Sequence, residues 1–149
     1  MKIVHVCISA PWDEKYAYQE NLLPRYHRLM GHDVTIIAPV FTKIGDYCNN
    51  RAPVGESYLS DGTRLVRLKP HVDNRFFLAH IPSVRGLKEA IVNEQTDLLF
   101  LHDVGCFDYR CIPEIKNKFP QIKIVADNHG DYINSLHSSL TRFLHKRIY

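Results

Sequence analysis

The chain has 149 residues, 45% hydrophobic and 23% charged, with a formal net charge of +3. That length fits one domain able to bury a core without staples, and the composition excludes a disordered chain. The charge is mild and lacks the dense basic stripe typical of nucleic-acid binding, and no apolar run approaches the roughly 18 residues needed to cross a bilayer.

Residues Lys2 to Ile8 form a nearly continuous apolar, β-branched run, expected of a strand buried on both faces. The run is too short for a signal peptide and is followed by Trp12-Asp13-Glu14-Lys15 where a small-residue cleavage site would stand. The four cysteines, Cys7, Cys48, Cys106 and Cys111, therefore read as reduced thiols of a cytoplasmic protein. A polar loop from Ser9 to Ala17 leads into a helix expected over Tyr18 to Met30. Leu22, Leu23, Tyr26, Leu29 and Met30 share one face of it, Pro24 lies in its first two turns, and Gly31 stops it. Val34 to Ala38 is a second strand, and Val40 to Val54 a long irregular loop.

Glu56 to Leu59 and Thr63 to Leu68 flank Ser60-Asp61-Gly62, a hairpin signal. Residues 70–82 carry no clear periodicity. Val84 to Asn93 reads as a helix with Val84, Leu87 and Ile91 inward. Leu98 to Leu101 is a core strand, Cys111 to Phe119 a short helix, and Ile122 to Ala126 another core strand. A last amphipathic helix is expected over Asn134 to Tyr149, with Leu136, Leu140, Phe143, Leu144 and Ile148 on its apolar face. The alternation predicts an α/β, Rossmann-like, doubly wound and mostly parallel sheet with helices on both faces and a β-hairpin insertion. Residues 1–149 form one such domain. Because the chain ends on an amphipathic helix whose apolar face needs a partner, the sequence reads as part of a longer protein.

Ligands of open parallel sheets bind outside the carboxyl ends of the strands. Three such ends turn polar together: Ser9 to Trp12, His102-Asp103, and Asp127 to Asp131. The first loop holds no glycine between Ser9 and Tyr18, which argues against a dinucleotide fingerprint, and no P-loop motif occurs. His102, Cys106 and Cys111 lie close in sequence but lack the further ligands that a zinc site needs, so no metal is expected. Arg142, His145, Lys146 and Arg147 on the last helix are compatible with an ordinary amphipathic helix or with peripheral contact at an anionic membrane face.

An ordered set of segments resembles the start of GT-B glycosyltransferases of family 4. It comprises Met1 to Cys7, Gln19 to Leu29, Gly31-His32-Asp33-Val34-Thr35, Asp61 to Leu68, Thr96 to His102, and Ile124 to His129. The resemblance covers essentially the whole chain. It implies the amino-terminal, acceptor-side half of a two-domain hexosyltransferase, retaining in stereochemistry. Such an enzyme moves a sugar from a nucleotide-sugar co-substrate to a carbohydrate or lipid-linked acceptor, as in cell-surface polysaccharide or glycolipid biosynthesis. No cofactor is implied. The partner would be a carboxy-terminal domain of the same enzyme that binds the nucleotide, without which this chain should be inactive. The implied catalytic residue is His129, which would meet the donor sugar. Trp12, Tyr16, Tyr18, Gln19, His102, Asp103, Asn128 and Asp131 would bind substrate. The implied location is cytoplasmic, peripheral at the inner face of the membrane. One departure is the Ala17-Tyr18 pair where many members carry Gly-Gly, since Tyr18 keeps backbone and phosphate further apart. A non-catalytic binding module and a metal-dependent hydrolase built on His102, Asp103 and His129 are the alternatives.

Overall fold

The structure, a computed structural model, describes residues 1–42, 50–73 and 82–128. Among these residues there are six strands and three α-helices. They are β1 (Lys2–Val6), α1 (Gln19–Leu29), β2 (Asp33–Pro39), β3 (Gly55–Tyr58), β4 (Arg64–Leu68), α2 (Leu87–Asn93), β5 (Leu98–Leu101), α3 (Ile112–Lys118) and β6 (Lys123–Ala126). The strands form one sheet in the order β3-β4-β2-β1-β5-β6. All pairs are parallel except β3 with β4, which is the expected hairpin. The arrangement is α/β and compatible with a Rossmann-like fold.

Both faces of the sheet are covered, for a reason visible in β1. Its side chains alternate in direction. Val4, Val6 and Ile8 join Leu99, Leu101, Leu87, Ile91 and Ile115 in one buried cluster, which places α2 and α3 on that face. The other face carries Cys7, Ile36, Ala38 and Leu65 with Trp12. There α1 lies on the sheet, with His27 bonded to His5 and the Glu20 carbonyl beside Cys7.

The end of α1 follows from Gly31. Its φ of +83° is the left-handed region that favours glycine. The His32 N–H then reaches the His27 carbonyl at 3.1 Å and the Gly31 N–H reaches Arg28 at 3.0 Å, a Schellman closure. Gly86, at φ +76°, delays α2 until Leu87, three residues after the expected start at Val84. Val84 instead forms an antiparallel bridge to Pro70. Val84, Leu87 and Ile91 are nevertheless buried as expected. The short helix expected from Cys111 is preceded by a 3-10 turn over Phe107–Cys111.

The face shared by Leu22, Leu23, Tyr26, Leu29 and Met30 is not the one that meets the sheet: Leu23 is half-buried, the other four are exposed, and Pro24 is the buried residue of α1. The inward stripe is Glu20, Pro24 and His27, spaced one helical turn apart. Pro24 also explains how the first loop is anchored. Lacking an N–H, it leaves the Glu20 carbonyl without its helical donor. The Trp12 indole N–H donates to that oxygen at 3.3 Å, and the Cys7 thiol lies 3.8 Å from it. One expectation is corrected at β6, expected as a core strand. It stands at the edge of the sheet among the described residues, with Val125 and Ala126 exposed and Ile122, just before it, buried. The expected last helix lies outside the described residues. Among those residues no helix is long and apolar enough to cross a membrane.

Candidate functional site

The chain runs outward from β1 in both directions: β2 and β4 lie on one side, β5 and β6 on the other. The gap between the carboxyl ends of β1 and β5 is therefore the switch point at which open sheets bind ligands. A cavity of about 620 Å³ opens there. Its walls are the first loop with Ser9, Pro11 and Trp12, the start of α1 with Tyr18 to Asn21, and His102 with Asp103 after β5.

Each wall has a local cause. Trp12 is buried, tied to Glu20 through its indole and to Arg67 through its carbonyl. The Arg67 guanidinium also reaches the Pro39 carbonyl at 2.8 Å and lies over the Trp12 ring at 5.4 Å. Burial pulls its pKa below the ordinary arginine value, while Asp13 and Glu14 oppose the shift. Trp12 thus enters the cavity as a fixed wall. Replacing it with Phe retains the packing and removes the N–H. A loss of about 1 kcal/mol is expected from the abandoned Glu20 carbonyl, read as a lower urea midpoint with an unchanged m-value.

Tyr18 is the N-cap of α1 with extended backbone and no side-chain cap, and its exposed ring leans toward Tyr16 at 5.5 Å. The Tyr16 hydroxyl donates to the Thr42 carbonyl at 3.1 Å, which holds this ring outside the cavity lining. Gln19 lines the cavity and donates to Asp127 Oδ2 at 3.0 Å. That contact ties the start of α1 to the end of β6.

Asp103 has φ +63°, unusual for a residue other than glycine. It is held there by its own N–H, which donates to Asp127 Oδ1 at 2.8 Å, and by its carboxylate, which accepts from the Gly105 N–H at 3.2 Å. His102 is buried, and its Nδ1 lies 3.0 Å from Asp127 Oδ2. Its Nε2 lies 2.9 Å from His5 Nδ1. His5, fully buried in the middle of β1, reaches His27 Nδ1 on α1 with its Nε2 at 3.0 Å. Burial, with help from His102 and His27, lowers the His5 pKa to about 2. Burial and neighbouring His32 also lower that of His27. His5 and His27 were not among the residues that sequence reasoning singled out. The available signal was a histidine inside an otherwise apolar strand, since a buried polar residue is the informative exception.

The three thiols among the described residues are Cys7, Cys106 and Cys111. Burial raises the pKa of Cys7 well above its ordinary value and that of Cys106 to about 12, so both are inert packing groups at neutral pH. Among the described residues no group of three His, Cys, Asp or Glu side chains converges to hold a metal ion. Of the residues expected to bind substrate, Trp12, Tyr18, Gln19, His102 and Asp103 come together around one cavity, and Tyr16 stands just outside it. Asn128 is exposed beyond the end of β6. His129 and Asp131 lie outside the described residues. Comparison of the chain with protein-family models, with curated proteins and with solved structures gave no match.

Proposed function

We propose that this chain is the acceptor-side domain of a glycosyltransferase of the GT-B, family 4 type. In this reading it holds a carbohydrate or lipid-linked acceptor while a second domain supplies the nucleotide-sugar donor. The observation that carries the reading is the cavity at the switch point and the chemistry of its lining. Among the described residues, the lining contains the carboxylates Glu20 and Asp103, the amides Gln19 and Asn21, and the ring of Tyr18, without a lysine or arginine. Carboxylates and amides suit a neutral polyhydroxylated ligand, each carboxylate accepting from sugar hydroxyls. They do not suit a diphosphate, which would meet negative charge at Glu20. The reading therefore assigns the nucleotide to the second domain and the acceptor to this one. His129 would face the donor sugar as the catalytic group, and protein and acceptor would meet at the cytoplasmic face of a membrane.

Tyr18 provides the test, because its exposed ring can be removed without opening the core. Against a panel of neutral oligosaccharides, the Tyr18→Ala variant should bind three- to tenfold more weakly than the parent, about 0.5–1.5 kcal/mol of lost ring contact. Equal affinity in the two proteins would remove Tyr18 from the binding surface. Tight binding of UDP-glucose by this chain alone would reverse the assignment of donor and acceptor sides.

A further inference from the structure

The four groups Asp127, His102, His5 and His27 form an unbroken hydrogen-bonded line from the end of β6, across β5 and β1, to α1. Its three links measure 3.0, 2.9 and 3.0 Å. The chemistry of imidazole gives this line a direction. A neutral imidazole has one donor and one acceptor nitrogen, and an ionised carboxylate only accepts. Asp127 therefore requires the proton of His102 on Nδ1. His102 Nε2 must then accept, which requires the proton of His5 on Nδ1. His5 Nε2 must accept in turn, which requires the proton of His27 on Nδ1. One carboxylate thus sets three tautomers in register, all pointing toward the cleft.

We propose that Asp127, His102, His5 and His27 form a proton relay along the α1 face of the sheet, joining the α1 surface to the carboxylate at the edge of the cleft. The transfer balances. A proton taken from solvent by His27 Nε2 releases the Nδ1 proton of His27 to His5 Nε2. His5 passes its Nδ1 proton to His102 Nε2, and His102 passes its own to Asp127 Oδ2. The net result is one proton removed from solvent, one placed on Asp127, and three imidazoles converted to the Nε2–H tautomer. The reverse transfer, from Asp127 Oδ2 to His102 Nδ1 and outward until His27 Nε2 releases a proton to solvent, resets the tautomers. The relay is independent of the proposed acceptor role, because it rests on the hydrogen-bonded line alone.

The surroundings favour passage over storage of charge. Phe100 stacks on His5 at 5.4 Å and on His102 at 4.7 Å, excluding water from the middle of the line. Burial keeps His5 neutral, so it passes a proton without retaining one. Among the described residues, the titratable groups packed around the line are Cys7 on β1, a neutral thiol, Glu20 on α1, Asp103 after β5, Tyr109, whose hydroxyl donates to the His102 carbonyl, and His32 beyond α1. His32 meets the His27 ring edge-on at 6.0 Å, at the outer end. Gln19 and the Asp103 N–H hold Asp127 at the inner end.

Long-range nitrogen–proton correlation spectra of the histidine rings test the proposal directly on the unaltered chain. At pH 7.5, His5, His102 and His27 should all be neutral Nδ1–H tautomers. An Nε2–H or doubly protonated ring at His5 or His102 would overturn it. The second arm is His27→Gln, whose amide still donates to His5 Nε2 but cannot relay. Solvent exchange of the His102 Nδ1 proton should slow at least tenfold in this variant. An unchanged rate would mean that His102 exchanges through the cleft, and the relay would be rejected.

Discussion

Lowering the pH from 7 to 5 is expected to cost the folded protein about 2 kcal/mol through His5 alone. An unfolded histidine takes up a proton near pH 6.5, whereas buried His5 resists until about pH 2. Between those values the unfolded chain binds more protons, so stability falls as pH falls, by about 1.4 kcal/mol per unit once pH is below 6.5. The stabilisation is fully present above pH 6.5 and is lost progressively toward pH 2. The lowered pKa of His27 acts in the same sense. The window from 7 to 5 lies above the range in which ordinary carboxylates protonate, so it isolates the histidines. Urea unfolding at half-unit pH steps would show the slope. The His5→Gln variant, polar but not titrating, should start less stable and show a shallower acid slope. Equal slopes in parent and variant would mean that His5 does not stay neutral in the fold.

Glu94→Ala should destabilise the protein by about 3 kcal/mol, the lower end of the range for breaking a buried ion pair. Glu94 is 3% exposed at the amino-terminal edge of the sheet. It accepts from Arg64 at 2.6 Å and Thr35 Oγ1 at 2.9 Å, and it pairs with Lys2 Nζ at 3.0 Å. One carboxylate thereby joins the starts of β1, β2 and β4. The lower end applies because Arg64 retains Glu56 at 2.6 Å, and Lys2 and Arg64 are both partly solvated. Glu94→Gln keeps the shape and one acceptor, so it should lose less. The site is at the opposite edge of the sheet from the cavity. Ligand affinity of the folded variant should therefore match the parent while its urea midpoint falls. A loss of affinity equal to the loss of stability would show that the two edges are coupled.

The strands were legible because an apolar β-branched run has few other uses. Leu98 to Leu101 was placed to the residue, and Asp61-Gly62 marked the hairpin. The start of α2 was missed because the positive φ of Gly86 delays the helix, and sequence periodicity carries no record of φ. The orientation of α1 was not legible, for a sharper reason. Its apolar residues do share one face, but periodicity cannot say which face meets the sheet. Here the inward stripe is Glu20, Pro24 and His27, because His27 bonds buried His5 and the Glu20 carbonyl, released by Pro24, binds Trp12. Polar contacts outweighed the apolar stripe, leaving Leu22, Tyr26, Leu29 and Met30 exposed. The cavity was legible in outline, since strand order puts the ends of β1 and β5 together. The line through His5 was not, because directly bonded members lie up to 97 residues apart and only tertiary register aligns them.

The acceptor-side reading is tested most directly by mapping amide shifts of the chain as neutral oligosaccharides are added. The account predicts shifts confined to the switch-point cavity: the amides of Ser9 to Trp12, Tyr18 to Asn21, and His102 and Asp103. A second cavity of about 610 Å³, between α1 and the β3–β4 hairpin and bordered by Arg25, Tyr58 and Asp61, serves as the internal control. Shifts gathered there, or an undisturbed switch-point cavity at saturating sugar, would contradict the account.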